Sequence, residues 1–342
     1  MVALTAASLG AAVVTIALRG PGQDEPASAT TAFSFPGCPA TTVTRTGPQG
    51  AGLYRDNRGG SWDLSGAVWT GVPYPIRSDR WTRGCLKGGE VDGGVPRTAT
   101  RDEWYDGDND GRVPGEGLTI TVSGAKSPWL YVEELFVHDI EDAFDPNAGS
   151  AAAATHLNRV HAEFIRDDCI ENEQGVHSVY VDNSFFDGCF TAFAERPPGS
   201  TSGGAGETEA SFVVENSLVY VEPQPLGEEY CEEDSVERGR CIDNGDSWLG
   251  AYGIWKWSDQ AAATVEIRDS IFRLDVASYT SCLAQEWPPG VYENVTLVWA
   301  GEGDYRTAGD CTNTLPRGVR LTTDLSVWDA AVARWSAQDR RR

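Results

Sequence analysis

The segment Val181-Asp182-Asn183-Ser184-Phe185 is one copy of a short pattern that recurs along this chain of 342 residues. Each copy has an apolar residue, then polar residues that favour a turn, then a second apolar position. The other copies are Val132-Glu133-Glu134-Leu135-Phe136, Leu157-Asn158-Arg159-Val160, Val214-Glu215-Asn216-Ser217-Leu218, Ile267-Arg268-Asp269-Ser270-Ile271 and Tyr292-Glu293-Asn294-Val295-Thr296. They start at residues 132, 157, 181, 214, 267 and 292, so the successive steps are 25, 24, 33, 53 and 25 residues.

Strand-sized segments at this spacing, with no long helical pattern between them, predict a right-handed parallel β-helix. In such a solenoid each repeat forms one coil, and the coils bury their apolar faces only by stacking on each other. We therefore predict an all-β, single-domain fold over residues 30–342. A β-sandwich is the alternative, but its strands recur at about 8–12 residues. Five apolar residues should form one buried column: Val132, Leu157, Val181, Val214 and Ile267.

The remaining segments are assigned to insertions and to the chain end. The step of 33 residues contains a loop at 199–209, and we interpret the step of 53 residues as two coils with an excursion within 223–248. An earlier coil is predicted at 85–91, with an insertion near 92–117. The apolar spacing of residues 325–335 predicts a short helix that caps the open end of the solenoid. Four residues at the turns should form a side-chain ladder: Asn183, Asn216, Asp269 and Asn294.

The N-terminal segment has features of an export signal. Residues 2–18 are apolar or small, and Ala27-Ser28-Ala29 supplies the small residues of a cleavage site. We predict a signal peptide at 1–29 and a secreted mature protein, although no basic segment precedes the apolar stretch. An uncleaved anchor at the cell surface is the alternative. After cleavage, no apolar stretch approaches the about 18 residues that span a bilayer.

The eight cysteines all follow the predicted cleavage site. An even number of cysteines in an exported chain favours disulfides. We predict the pairs Cys231–Cys241, Cys38–Cys85 and Cys282–Cys311. The remaining two, Cys169 and Cys189, lie one coil apart and either bond or only stack.

The net charge of −24 restricts the partners of the chain. Nucleic acids are excluded, since their binding proteins need a basic surface. Disorder is also excluded, because 40% of the residues are hydrophobic and only 23% are charged. We expect a monomer that acts on a polysaccharide or oligosaccharide.

Alternation along the predicted strands places two columns of side chains on an outer face. One column contains Tyr131, His156 and Tyr180, and the other contains Glu133, Asn158 and Asp182. All four histidines of the chain, at 138, 156, 161 and 177, lie in these coils. We predict that Tyr131, His156, Tyr180 and Asp182 bind substrate. An ordinary polar sheet face is the other interpretation.

Two acidic segments lie one repeat apart, in the turns that follow the strands. They are Ile140-Glu141-Asp142-Ala143-Phe144-Asp145 and Arg166-Asp167-Asp168-Cys169-Ile170-Glu171. The pair resembles the carboxylate segments of the polygalacturonase-type glycoside hydrolases, which are pectin-lyase-like parallel β-helices. The resemblance spans residues 118–200 in pattern and about a dozen residues in detail. It implies that Asp142 is the first catalytic aspartate, Asp167 the general acid and Asp168 the second aspartate, which activates water.

Physical chemistry supports the same three carboxyls. Crowded carboxylates cannot all ionise easily, so the pKa of one rises and that group can protonate a leaving oxygen. If two functional carboxyls lie about 6.5–9.5 Å apart, a water molecule fits between them and the reaction inverts the anomeric centre. A turn with solvated aspartates is the alternative.

The chain departs from the family pattern at two places. Asp187-Gly188-Cys189-Phe190 stands where the family has Gly-His-Gly, and the Arg-Ile-Lys segment that binds galacturonate has no clear counterpart. His161 or His177 are candidates for the missing histidine. Arg166 and Arg196, with Arg159, are candidates for the missing cation. A neutral or weakly charged glycan therefore fits better than polygalacturonate.

Two further features are candidate binding sites. Asp106, Asp108 and Asp110 alternate as in a calcium loop, although Gly117 stands at the twelfth position. A structural calcium ion is one interpretation, and an ordinary polar turn is the other. Trp255 and Trp257 point to the same side of a predicted strand, where they either stack on sugar rings or pack in the core.

Three functions remain open from the sequence. The first is a secreted glycoside hydrolase that uses carboxyl acid–base catalysis. The second is a polysaccharide lyase on the same fold, which needs a base and a cation beside a uronate; only three lysines are present. The third is a solenoid that binds glycans without catalysis. Since loops set specificity, the sequence does not identify the glycan.

Overall fold

The computed structural model describes residues 38–339, apart from internal gaps. The gaps are at 57–59, 73, 80–82, 105–115, 122–128, 147–153, 173–177, 196–209, 228–230, 232–240, 244–247, 258–262, 278–285 and 311–312. The predicted signal peptide at 1–29 and the loop at 199–209 lie outside the described residues.

In the described residues the chain winds through nine coils, each with strands on two or three faces of a solenoid. In chain order the strands and helices are β1 (Thr41–Thr44), β2 (Gly47–Gln49), β3 (Leu53–Asp56); β4 (Gly60–Asp63), β5 (Ala67–Thr70), β6 (Ile76–Asp79); β7 (Arg83–Lys87), β8 (Glu90–Asp92), α1 (Arg101–Trp104), β9 (Glu116–Thr121); β10 (Trp129–Glu133), β11 (Phe136–Ile140), β12 (Asp142–Asp145); β13 (Ala154–Asn158), β14 (His161–Asn172); β15 (Ser178–Asp182), β16 (Phe185–Glu195); β17 (Ser211–Glu215), β18 (Leu218–Val221), β19 (Gln224–Leu226), β20 (Ile242–Asp243), β21 (Trp248–Gly250), β22 (Gly253–Trp257); β23 (Thr264–Arg268), β24 (Ile271–Leu274); β25 (Gly290–Glu293), β26 (Val295–Trp299); and finally a 3-10 helix (Tyr305–Asp310), β27 (Val319–Thr322) and α2 (Ser326–Asp339).

The strands stack in parallel on three faces. Face A has the order β1-β4-β7-β10-β13-β15-β17-β23-β25, and face B has the order β2-β5-β8-β11-β14-β16-β18-β24-β26-β27. Face C is formed by β3-β6-β9-β12, by the second halves of β14 and β16, and by β22. The predicted parallel β-helix is therefore confirmed.

The predicted buried column is present on face A. Val132 pairs with Leu157, Leu157 with Val181, Val181 with Val214 and Val214 with Ile267. All five side chains are buried in one continuous hydrophobic core. The apolar position of the recurring pattern thus builds the interior of the solenoid.

The polar part of the pattern forms the corner between faces A and B. Asn183, Asn216, Asp269 and Asn294 all have φ near +50°, the left-handed region that asparagine and aspartate tolerate better than most residues. The amide of Asn294 donates to Asp269 at 2.6 Å, whereas Asn183 and Asn216 both donate to Asp182. In the predicted ladder, Asn294 and Asp269 are therefore hydrogen-bonded directly, whereas Asn183 and Asn216 are linked through the carboxylate of Asp182.

The serine after the left-handed residue links neighbouring coils. The backbone N–H of Ser184 donates to the hydroxyl of Ser217, and that of Ser217 donates to the hydroxyl of Ser270, both at 3.1 Å. All three serines are buried. Each hydroxyl therefore satisfies a backbone donor that the corner would otherwise bury without a partner.

The interpretation of the 53-residue step as two coils is wrong. Val214 in β17 pairs directly with Ile267 in β23, so a single coil separates them. The additional residues form a lateral excursion, in which β19, β21 and β20 make a small antiparallel sheet before β22 rejoins face C. A step of about two repeats arises here from one repeat and an insertion.

Three disulfides join the described residues: Cys38–Cys85, Cys169–Cys189 and Cys231–Cys241. The pairs Cys38–Cys85 and Cys231–Cys241 were predicted, and Cys169 and Cys189, for which a bond or only stacking was open, form a bond across neighbouring coils. The predicted pair Cys282–Cys311 lies outside the described residues. Disulfides are typical of an oxidising, extracytoplasmic environment. In the part of the chain that the structure describes, no helix has the length and hydrophobicity needed to cross a membrane.

The predicted C-terminal helix is present, but it covers a side of the solenoid rather than the expected open end. Trp328 and Ala331 of α2 pack with Phe185, Leu218 and Val298 on the outer surface of face B. The indole N–H of Trp335 also donates to the carbonyl of Asn183 at 3.0 Å.

Leu157→Ala tests the column that holds the coils together. Leu157 is fully buried, so truncation should lower the free energy of unfolding by about 2–5 kcal/mol, measured by urea denaturation. Leu325→Ala is the matched control, since Leu325 is 42% exposed and should change stability by less than about 0.5 kcal/mol. Equal effects of the two substitutions would contradict the assigned register.

Candidate functional site

The site lies at the corner where the strands pass from face B to face C. Asp139, Phe164 and Gly188 occupy equivalent positions on three successive coils, and all three have positive φ, at 51°, 52° and 90°. The chain turns after these residues, since Ile140, Ile165 and Cys189 still pair on face B and the pairing on face C begins at Asp142 and Asp168. This turn brings Asp142 at the start of β12 next to Asp167 and Asp168 in β14.

The three predicted aspartates come together at this corner. Each offers a carboxylate oxygen, and these three oxygens all lie within 4.8 Å of one another. The backbone N–H of Asp168 donates to Oδ1 of Asp142 at 2.8 Å, and that of Asp167 donates to the carbonyl of Glu141 at 2.8 Å. We call Asp142, Asp167 and Asp168 the carboxyl trio.

The nearest oxygens of the trio approach one another more closely than the separation between whole carboxyl groups that is expected for an inverting hydrolase. Inversion needs about 6.5–9.5 Å between the two carboxyl groups so that water fits between them. One oxygen from each carboxyl lies within 4.8 Å of the other two, and this is compatible with the about 5–5.5 Å between carboxyl groups in retaining enzymes, in which one carboxylate attacks directly.

Two cations contact the trio, and sequence reasoning missed both roles. Nη2 of Arg101 in α1 lies 3.1 Å from Oδ2 of Asp167. Nζ of Lys256 in β22 lies 3.0 Å from Oδ2 of Asp168 and 3.8 Å from Oδ1 of Asp167. All these side chains are at most 15% exposed, so their mutual attraction is only weakly screened by solvent.

The pKa of Asp142 is raised at this corner, which favours the protonated form of its carboxyl. Burial raises its pKa well above the usual range, and the negative charges of Glu171, Asp167 and Asp168 raise it further. The resemblance instead implied Asp167 as the general acid. The exposure of the trio also differs, because the side chain of Asp167 is 15% exposed and Asp168 is fully buried.

A further buried carboxyl lies near this corner. Glu195, at the end of β16, is 2% exposed and accepts a hydrogen bond from the amide of Asn172 at 2.6 Å. Burial raises its pKa to about 8. Glu195 follows Ala194 in β16, and Ala194 pairs with Lys256 of β22. On the other side, Ala194 pairs with Glu171, and Glu195 pairs with Asn172.

Scans against protein-family models, curated proteins and solved structures find no match to this chain. No family is therefore assigned.

One predicted histidine partner of the trio, His161, packs among aromatic rings. His161 begins β14 and stacks between Phe136 and Phe185, with ring centroids 4.7 and 5.1 Å away. Trp335 of α2 packs 5.2 Å from the same ring. His177 lies outside the described residues.

The predicted cations fall into two groups. Arg166 is adjacent to the trio in sequence, but its side chain is 1% exposed and packs against the rings of Trp104 and Phe164. Arg196 lies outside the described residues. Arg159 pairs with Glu133 and Glu134 on face A.

Trp255 and Trp257 are core residues. Trp255 is fully buried against Phe193 and Phe212, and Trp257 is 9% exposed and packs edge-on against Trp255. The strand does point both indoles to one side, as predicted, but that side is the interior. They form no exposed platform for a sugar.

The predicted outer columns have the expected register on face A. Tyr131 pairs with His156 and His156 with Tyr180, while Glu133, Asn158 and Asp182 form the parallel column. The rings of Tyr131 and His156 meet edge to face at 5.1 Å, and those of His156 and Tyr180 at 6.3 Å. These residues are on face A, whereas the trio lies at the corner of faces B and C. Substrate binding by Tyr131, His156, Tyr180 and Asp182 stays a prediction.

Two groups of side chains have the atom spacing of a metal site. Besides the trio, Asp92, His138 and Asp139 bring ligand-type atoms within 4.8 Å of one another. Arg97 already pairs with Asp139 at 2.9 Å, and Arg101 and Lys256 already contact the trio. We therefore assign no metal ion to either group. The predicted calcium ligands Asp106, Asp108 and Asp110 lie outside the described residues.

The proton on Asp142 predicts a specific pH dependence of stability. Because its pKa is higher in the folded than in the unfolded chain, the folded chain binds more protons. The free energy of unfolding contributed by this group therefore falls as pH rises from about 4 through the folded pKa. Asp142→Asn cannot titrate, so its stability should fall less steeply over this range.

Urea denaturation at a series of pH values measures this difference. Glu302→Gln, which removes a carboxylate from an exposed residue, should follow the wild-type profile. Parallel profiles for wild type and Asp142→Asn would show that Asp142 does not hold the proton.

Proposed function

We propose that this chain is a glycoside hydrolase and that the carboxyl trio is its catalytic centre. The observation that carries the proposal is the convergence of three aspartates, from two different coils, within 4.8 Å at a partly exposed corner. Residues that ionise differently in one site are the arrangement that carboxyl acid–base catalysis requires. The polygalacturonase-like pattern of the two segments supports the same residues.

In the proposed reaction, Asp142 is the general acid. Its proton passes to the glycosidic oxygen as the bond between that oxygen and the anomeric carbon breaks. Asp167 is the nucleophile, because it is the most exposed of the trio and its charge is stabilised by Arg101. The short spacing favours direct attack by Asp167 over activation of an intervening water.

The second step restores the trio. Asp142, now ionised, removes a proton from water, and the water oxygen displaces Asp167 from the anomeric carbon. Two displacements give net retention at that carbon. Asp168 and Lys256 balance the charge of the site, since their ion pair at 3.0 Å lies next to both reacting carboxyls.

The proposed substrate is a neutral or weakly charged glycan outside the cell. The signal-like N-terminus and the disulfides support secretion. The net charge of −24 would repel a strongly anionic polymer.

A polysaccharide lyase is a second candidate because of one observation. Lys256, one of three lysines in the chain, contacts the trio, and so does Arg101. A lysine can remove the proton next to a uronate carboxyl, and an arginine can neutralise that carboxyl. Elimination leaves an unsaturated sugar, which absorbs ultraviolet light.

An assay on a panel of neutral and uronate-containing glycans separates these functions. Hydrolysis releases reducing ends without an absorbing product, whereas elimination gives the absorbing product. If a glycan binds and neither product forms, the chain binds glycans without catalysis. We expect hydrolysis with a retained anomeric configuration, observed by NMR in the first product. An inverted product would contradict the role of Asp167 as nucleophile.

Asp142→Asn and Asp167→Asn should each lower turnover by about 10²–10⁴-fold, because each removes a group that acts on the reacting atoms. Glu302→Gln is the control and should keep the wild-type rate, since it changes an exposed loop residue. Thermal unfolding and glycan binding of the variants show whether the fold is intact. Full turnover in a folded Asp167→Asn would end the assignment.

A further inference from the structure

Three arginines and three aromatic rings form an alternating stack beside the carboxyl trio. Arg97 and Arg166 lie on Phe164, each with its guanidinium carbon 5.1 Å from the ring centroid. Arg166 and Arg101 both lie on Trp104 at 5.3 Å, and Arg101 also lies 4.9 Å from Phe190. We call this set the arginine–ring ladder: Arg97, Phe164, Arg166, Trp104, Arg101 and Phe190.

The ladder joins two separate parts of the chain. Arg97, Arg101 and Trp104 belong to the segment between β8 and β9, whereas Phe164, Arg166 and Phe190 belong to β14 and β16. Hydrogen bonds reinforce this contact, because Arg166 donates to the carbonyl of Ala99 and Arg101 donates to the carbonyl of Arg166 at 3.4 Å. The inserted segment is thereby fixed against the coil that carries Asp167.

Arg166 is held in this ladder at a cost. Its side chain is 1% exposed, and its Nε and Nη1 have no hydrogen-bond partner among the described residues. Burial, followed by the nearby charge of Arg101, lowers its pKa to about 10. Buried cations are unfavourable unless they are paired, so the faces of Trp104 and Phe164 are its main compensation.

The last member of the ladder makes the contact with the trio. Arg101 pairs with Asp167 at 3.1 Å, and its guanidinium lies between the rings of Trp104 and Phe190. Arginine has a long and flexible side chain, so a single ion pair fixes its position poorly. Two rings on the guanidinium restrict it to the geometry that meets Asp167.

We propose that Trp104 and Arg166 are positioning residues, which hold Arg101 against Asp167 through the arginine–ring ladder. They touch no reacting atom. Trp104 supplies the ring surface on which Arg101 lies. Arg166 packs on the same ring and holds it in place. The consequence for catalysis rests on the proposed function, but the placement of Arg101 does not.

The proton affinity of the Asp167 carboxyl measures this placement directly. Arg101 from α1 and Lys256 from β22 face this group as cations, and Asp142 and Asp168 face it as neighbouring acids. Removing the cation by Arg101→Gln should raise the proton affinity of Asp167 about tenfold or more. A ¹³C NMR titration of aspartate-labelled protein follows the group, and the signal is assigned by its loss in Asp167→Asn.

Substitutions of Trp104 separate positioning from packing. Trp104→Leu keeps apolar volume but removes the ring, so Arg101 should lose its position and the proton affinity of Asp167 should rise as in Arg101→Gln. Trp104→Phe keeps a ring and should stay close to wild type. Trp335→Leu is the control. The indole of Trp335 in α2 packs on His161, so its loss should leave the proton affinity of Asp167 unchanged.

Several results would overturn the proposal. The proton affinity of Asp167 could rise in Arg101→Gln but stay unchanged in Trp104→Leu. This result would show that Arg101 keeps its place without the ring. Equal shifts in Trp104→Leu and Trp104→Phe would show that the ring face is not the cause. An unchanged titration in Arg101→Gln would show that Arg101 does not act on Asp167.

The titration needs no substrate, so it is independent of the glycan assay. If no glycan is cleaved but the titration follows the expected order, the proposed function fails and the positioning holds. If hydrolysis is found, Trp104→Leu should also shift the acidic limb of the pH–rate profile to higher pH, and Trp104→Phe should restore it.

Discussion

At the corner between faces A and B, six successive coils place a residue other than glycine in the left-handed region, with φ between 48° and 59°. This conformation is uncommon for such residues, and it recurs because the stacked coils share one corner geometry. It also fixes the register, since a slip of one residue would turn the apolar column outward. The positions of the core, of the second corner and of the trio all follow from that register.

The sequence carried the information for this corner but not for the insertions. The pattern around Val181 combines the inward residue and the left-handed residue, so faces A and B and their buried column could be predicted. Asp142 and Asp167 are 25 residues apart, close to one repeat, and their convergence was predictable for the same reason. Arg101 comes from an inserted segment, whose path is independent of the repeat, and Lys256 lies on β22, which rejoins face C only after the lateral excursion. The direction of Trp255 was visible, but whether that side is the interior depends on the coil that β22 joins.

The trio explains why positive charge is present at this corner of an acidic protein. Three ionised carboxyls within 4.8 Å would repel each other, and burying each charge would cost several kcal/mol. The site reduces this cost in two ways. The raised pKa of Asp142 favours its neutral form, and Arg101 and Lys256 form ion pairs with Asp167 and Asp168. The repeat itself supplies the carboxyls, whereas Arg101 comes from the segment between β8 and β9 and Lys256 comes from β22, which follows the lateral excursion.

At the corner between faces B and C, one coil has a bulky residue at a position with positive φ, where glycine would be the least strained residue. Gly188 has positive φ without steric cost, but Phe164 at the equivalent position of the preceding coil has a bulky side chain there, which costs about 1–3 kcal/mol. The cost is compensated by the stacking of Phe164 between Arg97 and Arg166. Local conflict that the surroundings must offset is concentrated at functional sites in folded proteins. Phe164 lies three residues before Asp167, so the strained positive-φ conformation of this residue lies close to the carboxyl trio.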